Sequence, residues 1–415
     1  MTESRAVTHR SIRRRLTLAA GALGAAVALG GCARHAPQDT FKPAGTNARD
    51  IQNLQWPVFL AAGIIGVLVF AVVGFVVVRY RDRGQDIPEQ SHGKPALEIT
   101  LTIIPALILL SIGIPTVKTV FTLAKSGDTQ CVVNVTGQQW WWEYDYPVQD
   151  GCLPGGIKQP IFTSGQLVIP TKTNVMLQIT SRDVIHSFWI PRLNGKRDAV
   201  PGRVQPLRMQ ADQPGIFSGQ CTEFCGLSHA RMRMEAVGLN AEDFATWVAN
   251  QTAPAKRLAQ DEQGVSALAL TGQDTFEQQC TRCHQVDGFT SADGTPVLAN
   301  PDLYEVSGAA PNLTHLMSRN SFAGATWDLL TPACKDKVWN AKPEEFGKLY
   351  LQGVTPDCLN AVDLREWLRN APAKKPMYAN PANLNTTGGK YRGMPNLNLT
   401  DDQIDGLVAY LLERK

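Results

Sequence analysis

Two apolar runs decide most of what this chain can fold into. Trp56 to Val78 carries no charge, and Ile99 to Val117 is bounded by Glu98 and Lys118. Crossing a bilayer takes about 20 apolar residues, and both runs approach or exceed that length. In hydrocarbon a chain must satisfy its own backbone hydrogen bonds, so each run has to be helical. Arg79, Arg81, Arg83 and Lys94 lie between the runs, and positive loops stay in the cytoplasm. The helices, about 56–79 and 98–120, therefore form a hairpin that turns inside the cell. Everything after about Lys125 is expected outside it.

A shorter apolar stretch precedes them. Arg13, Arg14 and Arg15 lead into Leu16 to Gly31 and then Cys32. A charged segment, a short apolar segment and small residues describe a signal peptide, here 1–31. Leu29-Gly30-Gly31-Cys32 resembles a bacterial lipobox, which implies that Cys32 carries lipid; an uncleaved anchor helix is the alternative. The 40 basic and 37 acidic residues nearly balance, which gives no electrostatic support to nucleic-acid binding. Residues 32–125 are then an N-terminal segment and the hairpin.

Residues 126–240 read as β. "CVVNV" (131–135), "GQLVIP" (165–170) and "NVMLQIT" (174–180) are short, rich in β-branched residues and bounded by turn formers. "RVQPLRMQA" (203–211) and "RMEAVGL" (233–239) continue the pattern. A compact antiparallel sandwich or barrel is the natural outcome. Residues 241–267 read as a short helix and a polar linker. Residues 268–415 read as helices joined by loops, with Thr400 or Asp401 capping the last one.

Within the β region stands "CTEFCGLSHARM" (221–232), spaced C-x3-C-x3-H-x2-M. Structural zinc uses four Cys or His ligands and no methionine. Two thiolates, an imidazole and a thioether form a soft set that selects copper. One Cys suffices for a mononuclear copper site, whereas two can bridge two coppers. Such a pair needs a second histidine. Of those outside the membrane, His186 in "RDVIHSFWIP" lies in the same β region and is the expected partner of His229. The competing assignment is a Cys221–Cys225 disulfide with Met232 in the core, which leaves both histidines unexplained.

The hairpin, "DVIHSFWIPRLNGKRDAVPGR" and "GQCTEFCGLSHARMRM" together resemble subunit II of bacterial cytochrome c oxidase, over roughly residues 50–245. The resemblance implies a cupredoxin barrel with a dinuclear copper A centre. It makes Cys221 and Cys225 bridging thiolates, His186 and His229 terminal ligands, and Met232 a weak ligand. It gives Glu223 a backbone carbonyl on copper and a side chain on a Mg or Mn ion shared with subunit I. "GQQWWWEYDY" (137–146) resembles the family's aromatic patch, so Trp140 is expected to receive electrons, although Gln138 stands where the family usually has His. Trp141 and Trp142 are expected to pack. Period-two alternation would put Trp142 on the Trp140 face. "ALEITLTIIPALILL" resembles the family's second helix, and Glu98 then matches a carboxylate at a proton-channel mouth. A helix-start acid favouring the dipole is the plainer reading, and Leu101 departs from the family's usual Trp.

"CTRCH" (280–284) is the c-type haem attachment signature. Composition alone predicts only about 0.003 chance matches in the chain. Cys280 and Cys283 would form thioethers and His284 would bind iron. Met394, in a loop before the last helix, is the expected sixth ligand and Met377 the runner-up. Met317 and His315 read as structural. The 268–415 segment resembles class I cytochromes c, which implies that the Pro311 carbonyl holds the His284 imidazole. Cys131, Cys152, Cys334 and Cys358 remain. Four cysteines allow three pairings, of which 131–152 and 334–358 is the simplest, each worth roughly 3 kcal/mol.

These readings imply a multidomain chain: a transmembrane hairpin, an all-β cupredoxin barrel and an all-α cytochrome c domain. The implied function is that of cytochrome c oxidase subunit II with a fused haem domain. Electrons would pass from cytochrome c, or another upstream donor, through haem c and copper A to subunit I. There oxygen is reduced and protons are pumped. Subunits I and III and membrane lipid are the implied partners, at the inner (cell) membrane with both metal domains outside. The alternative of a different class is a copper-binding or copper-delivery membrane lipoprotein.

Overall fold

The computed structural model describes residues 36–84, 92–125, 129–255, 257–260, 264–281, 283–286, 310–379 and 392–415, with Gly21 and Gly24. The rest of the signal segment, and Cys32, lie outside them. The chain divides into residues 1–39 and 40–415. In the first, Asp39 N–H closes a turn onto Ala36 O (3.2 Å). The helices and strands from Thr46 onward all belong to the second.

Helices α1 (Thr46–Arg79) and α2 (Pro95–Ala124) contain the two apolar runs. Both are long and apolar enough to cross a membrane, and their apolar windows are wholly unburied within the chain. Each starts earlier than its apolar run suggests. The first turns of α1 are polar because they pack on the β region rather than lipid. Asn47 is buried and exchanges hydrogen bonds with Arg208, through its O and Nη2, at 2.8 Å each. Arg49 pairs both guanidinium ends with Asp212. A hydropathy argument sees lipid contact only, so it places the helix start ten residues late.

The β region is a sandwich. One sheet runs β3 (Ile161–Ser164), β2 (Trp141–Tyr146), β1 (Cys131–Gln138), β5 (Val175–Ser181), β8 (Gln205–Met209). The other runs β4 (Gln166–Pro170), β10 (Arg233–Leu239), β9 (Gly215–Gln220), and β6 (His186–Phe188) pairs with β7 (Arg197–Ala199). The antiparallel expectation fails at two pairs: β1 with β5 and β4 with β10 are parallel. The cause is a sheet change between β3 and β4 at Gly165. That residue has φ +77° and bonds Trp142 O through its N–H and Glu235 N–H through its O. Tyr146 Oη fastens the sheets by bonding both Val168 O and Val168 N–H at 2.8 Å. Cys131 is bonded to Cys152, tying the start of β1 to the loop after β2.

Residues 241–255 open on a helix packed against the β region. Helix α3 (Ala241–Thr252), capped by Asn240 on Asp243 N–H, buries Phe244, Trp247 and Val248, and the Trp247 ring packs tilted against Tyr146 at 5.2 Å. Leu258 exchanges backbone bonds with the Gln273 side chain. The C-terminal region is built on α4 (Ala267–Gln279) and α8 (Asp401–Leu412). They cross where Gly272 meets the Gly406 backbone, a contact that leaves no room for a Cβ. Phe276 and Tyr410 pack beside the crossing at 5.0 Å. Thr400 caps α8 in a capping box with Gln403. Between these helices come the short hairpin β11 (Ser321–Phe322) and β12 (Trp327–Asp328), then α5 (Pro332–Trp339), α6 (Pro343–Leu351) and α7 (Ala361–Lys374). Cys334 is bonded to Cys358. Met317 is core, and His315 is structural, its Nδ1 on Lys415 O.

A buried polar seam joins the two regions. Gln166 Oε1 accepts from Asn320 N–H and Tyr350 Oη. Glu235 accepts from Gln166 and Ser321 side chains. Arg319 donates to Ser164 Oγ (2.8 Å) and Asn312 O (2.6 Å). Unpaired, each of these groups would cost a few kcal/mol; paired across the seam, they fix the register of one region on the other.

Candidate metal centre and adjoining cavity

Three segments meet at one end of the sandwich: β6 with the residues before it, the loop 221–232, and the turn at Gln139–Trp140. Cys221 leaves β9 with its N–H on Met232 O (3.0 Å), closing the loop against the start of β10. Thr222 N–H donates to Ser187 O (3.1 Å), tying the loop to β6. A one-turn helix, His229–Arg231, brings His229 back over Cys225.

These constraints bring the soft ligands together. Cys221 Sγ lies 3.8 Å from Cys225 Sγ, 4.0 Å from His186 Nδ1 and 3.4 Å from Glu223 O. Cys225 Sγ lies 3.6 Å from His229 Nδ1 and 3.8 Å from Met232 Sδ. Both thiols are free and buried. His186, Cys221 and Cys225 form a compact buried cluster with metal-binding atoms mutually within 4.8 Å. The Cys225 hydrogen bond draws Cys221 down to about 4, while the same contact and burial push Cys225 up. A soft cation held by both sulfurs would displace their protons. The Glu223 side chain is exposed.

Asp183, missed in the sequence, sets the tautomer. His186 Nε2 sits 2.8 Å from Asp183 Oδ1, which leaves Nδ1 facing Cys221. Burial pushes the Asp183 carboxyl up, but bonds from His186, Gln139 N–H and Val184 N–H outweigh it and hold the carboxyl low. Burial favours a neutral His186 ring, yet Asp183 and Cys221 together raise it. The available signal was an acid three residues before the histidine in "DVIH".

Trp140 is not on the strand. It occupies the turn before β2, so the alternation that put Trp142 on its face does not reach it. Its indole Nε1–H donates to Cys225 O (3.1 Å), as does Gln139 Nε2–H (2.6 Å). Trp142 is instead core, edge-on to Phe188 (5.1 Å) and His186 (5.8 Å). Trp141 is also buried.

A cavity of about 200 Å³, open to solvent on one side, lies on the far side of Trp140. Cys280, Cys283, His284, Met377 and Met394 all line it, beside Phe276, Leu368, Leu407 and Leu411. His284 Nδ1–H donates to Pro311 O (2.8 Å), which leaves Nε2 for a metal. Burial lowers the imidazole and raises the Cys280 thiol to about 12. Arg319 also lines the cavity, and its buried Nε has no hydrogen-bond partner among the described residues. Glu98 stands apart, exposed in the first turn of α2.

Known proteins resemble this chain over the helical hairpin and the β region. A family model described as cytochrome C oxidase subunit II, periplasmic domain, matches residues 131–237, and one for its transmembrane domain matches residues 36–119. Cytochrome c oxidase subunit 2 of Alkalihalophilus pseudofirmus is 34% identical over 282 residues, 66% of this chain and 77% of the relative. Subunit 2 of Bacillus sp. (strain PS3) is 31% identical over 351 residues, 81% of this chain and 79% of that protein. The crystal structure of the periplasmic domain of cytochrome oxidase subunit II of Bradyrhizobium japonicum shares 28% identity, with a TM-score of 0.28, over 31% of this chain and 96% of that one. Two apolar helices long enough to span the membrane, a β-sandwich periplasmic domain carrying a soft-ligand cluster, and relatives matched over most of their length assign the chain to the cytochrome c oxidase subunit II family, the second subunit of a membrane oxidoreductase.

Proposed function

We propose that this subunit II receives electrons from an upstream donor and delivers them to subunit I through two built-in redox sites. The observation that carries this is the pair of free, buried thiols 3.8 Å apart, flanked by His186 and His229. Cys221 and Cys225 would bridge two coppers, His186 and His229 would bind terminally, Met232 weakly, and Glu223 through its carbonyl. When bound, a thiolate-bridged copper pair supplies a one-electron store shared by both metals. Asp183 fixes the His186 ring, and β9, β6 and β10 hold the donors before metal arrives. Copper counting with visible and near-infrared spectra of the purified complex tests the reading. Two coppers per subunit and a mixed-valence band are expected; a delivery protein should lack that band.

The cavity fits a covalent haem c. Its lining holds two thiols, an imidazole with Nε2 free and two thioethers among apolar side chains, and the unpaired Arg319 Nε suits a carboxylate-bearing group. Haem there supplies a second one-electron centre. Residues 126–240 would then be the copper A domain and 268–415 a cytochrome c domain, tethering a donor at high effective concentration. The similarity to the Bacillus relative covers too much of this chain to end before residue 268. Trp140 would receive electrons beside the cavity. Glu223 would share Mg or Mn with subunit I, and Glu98 would stand at a proton-channel mouth in a complex that also holds subunit III. The inner membrane is the expected location, crossed twice, with lipid on Cys32 as a further anchor.

Met394 and Met377 both line the cavity, and a Cβ on Gly393 would strike Met377. We assign Met394 as the sixth ligand because it lies in the loop before α8. Met394→Ala should lower the haem potential and admit carbon monoxide, with haem still attached. If Met377→Ala does this and Met394→Ala does not, the two roles exchange.

A further inference from the structure

The β11–β12 hairpin reaches out of the C-terminal region and touches the copper-site loop. Its tip, Ala323-Gly324-Ala325, holds three successive left-handed residues (φ 53°, 73° and 52°). Arg233 N–H, directly after Met232, donates to Gly324 O (3.0 Å). Thr326 Oγ1–H donates to Arg231 O (2.5 Å). A Cβ on Gly324 would lie 2.6 Å from Trp140 O and 3.1 Å from Lys375 Nζ, so only glycine admits this approach.

Lys375 closes the same contact from the end of α7. Its side chain is buried, and Nζ donates to Trp140 O (2.8 Å) and Ala323 O (2.7 Å), one carbonyl from each region. No carboxylate pairs with it among the described residues. Burial brings its pKa down to about 7. An apolar side chain of similar length would fill this place at less cost than an ammonium. What the amine supplies and an apolar chain cannot is a pair of N–H donors, one for each carbonyl.

We propose that the hairpin tip and Lys375 form a clasp on the Trp140 backbone, which keeps the indole between the cavity and the Cys225 carbonyl. Lys375 is thus a positioning residue that acts through Trp140. The proposal rests on the reading that electrons pass by Trp140. The rest of the seam keeps the regions together when the clasp is lost, so the effect is local.

Hydrogen exchange on the intact complex tests the clasp without reference to any metal. The Arg233 amide should be protected in the wild type. In Gly324→Val and in Lys375→Met it should exchange at least about tenfold faster, because a crossing bond is lost or left strained. Haem-to-copper transfer should slow by at least about tenfold in both variants with unchanged spectra and melting, and become viscosity-dependent as the indole must find its place. Lys375→Met retains Gly324, so it answers even if Gly324→Val misfolds. Unchanged protection and transfer in Lys375→Met would overturn the clasp. Lost protection with unchanged transfer would overturn the positioning role and fault the Trp140 route rather than the contact.

Discussion

On the proposed reading, Cys221→Ser should remove the copper pair altogether: copper should fall from two per subunit to one or none, the mixed-valence band should disappear, and haem attachment should be unchanged. The geometry explains the size of the effect. Each sulfur faces a different imidazole, Cys221 toward His186 and Cys225 toward His229, and the sulfurs face each other at 3.8 Å. Both sulfurs would be needed to hold two metals among those donors. A serine oxygen is harder, holds its proton at neutral pH and suits soft metals poorly. The site is buried, so water does not replace the missing ligand cheaply. Haem attachment should survive because Cys280 and Cys283 belong to another region with its own core at the α4–α8 crossing. Met232→Leu should be much milder, since a weak axial ligand tunes potential more than it retains metal. Metal analysis with absorption spectra distinguishes these cases. A normal two-copper spectrum in Cys221→Ser would mean that the cluster is misassigned, and equal copper loss in both variants would contradict the ligand ranking.

The ligand cluster was legible because local spacing carried it. C-x3-C-x3-H-x2-M places four donors within one loop, and C-x-x-C-H places three within another. His186 was reachable by elimination among few histidines. The long-range partners were not legible. Asp183 is an ordinary acid until β6 turns His186 toward it, and Lys375 lies 235 positions from the Trp140 carbonyl it grips. Strand direction failed for a related reason. Alternation reveals which residues face inward, but it is blind to the change of sheet at Gly165 that makes β1 and β5 parallel. The Trp140 face failed because alternation was carried one residue past the strand, into a turn. The start of α1 was hidden because its first turns bury polar groups against protein, a contact that hydropathy cannot register.

Trp140→Ala should slow haem-to-copper transfer by a large factor, the second largest effect expected, while both metal spectra persist. The indole is the group that touches both sites: it lines the cavity, and its Nε1–H donates to the carbonyl of the ligand Cys225 (3.1 Å). Truncation removes the ring from the gap and the hydrogen-bonded link to Cys225 together. It also threatens the fold, since Trp140 is 2% exposed and truncating a buried Trp costs about 3–5 kcal/mol. Trp140→Phe separates the two consequences. It keeps an aromatic ring and most of the packing, and loses only the bond to Cys225 O, which Gln139 Nε2–H still satisfies (2.6 Å). The fold should therefore hold in Trp140→Phe, and transfer should fall between wild type and Trp140→Ala. Trp142→Phe should act differently. Trp142 is fully buried against His186 and Phe188, so its truncation should disturb the copper spectrum before the transfer rate. Flash kinetics, with copper occupancy and melting measured on the same samples, reads all three. If transfer is unchanged in folded, fully metallated Trp140→Ala, electrons reach the copper site without Trp140. The route must then leave the cavity by another wall.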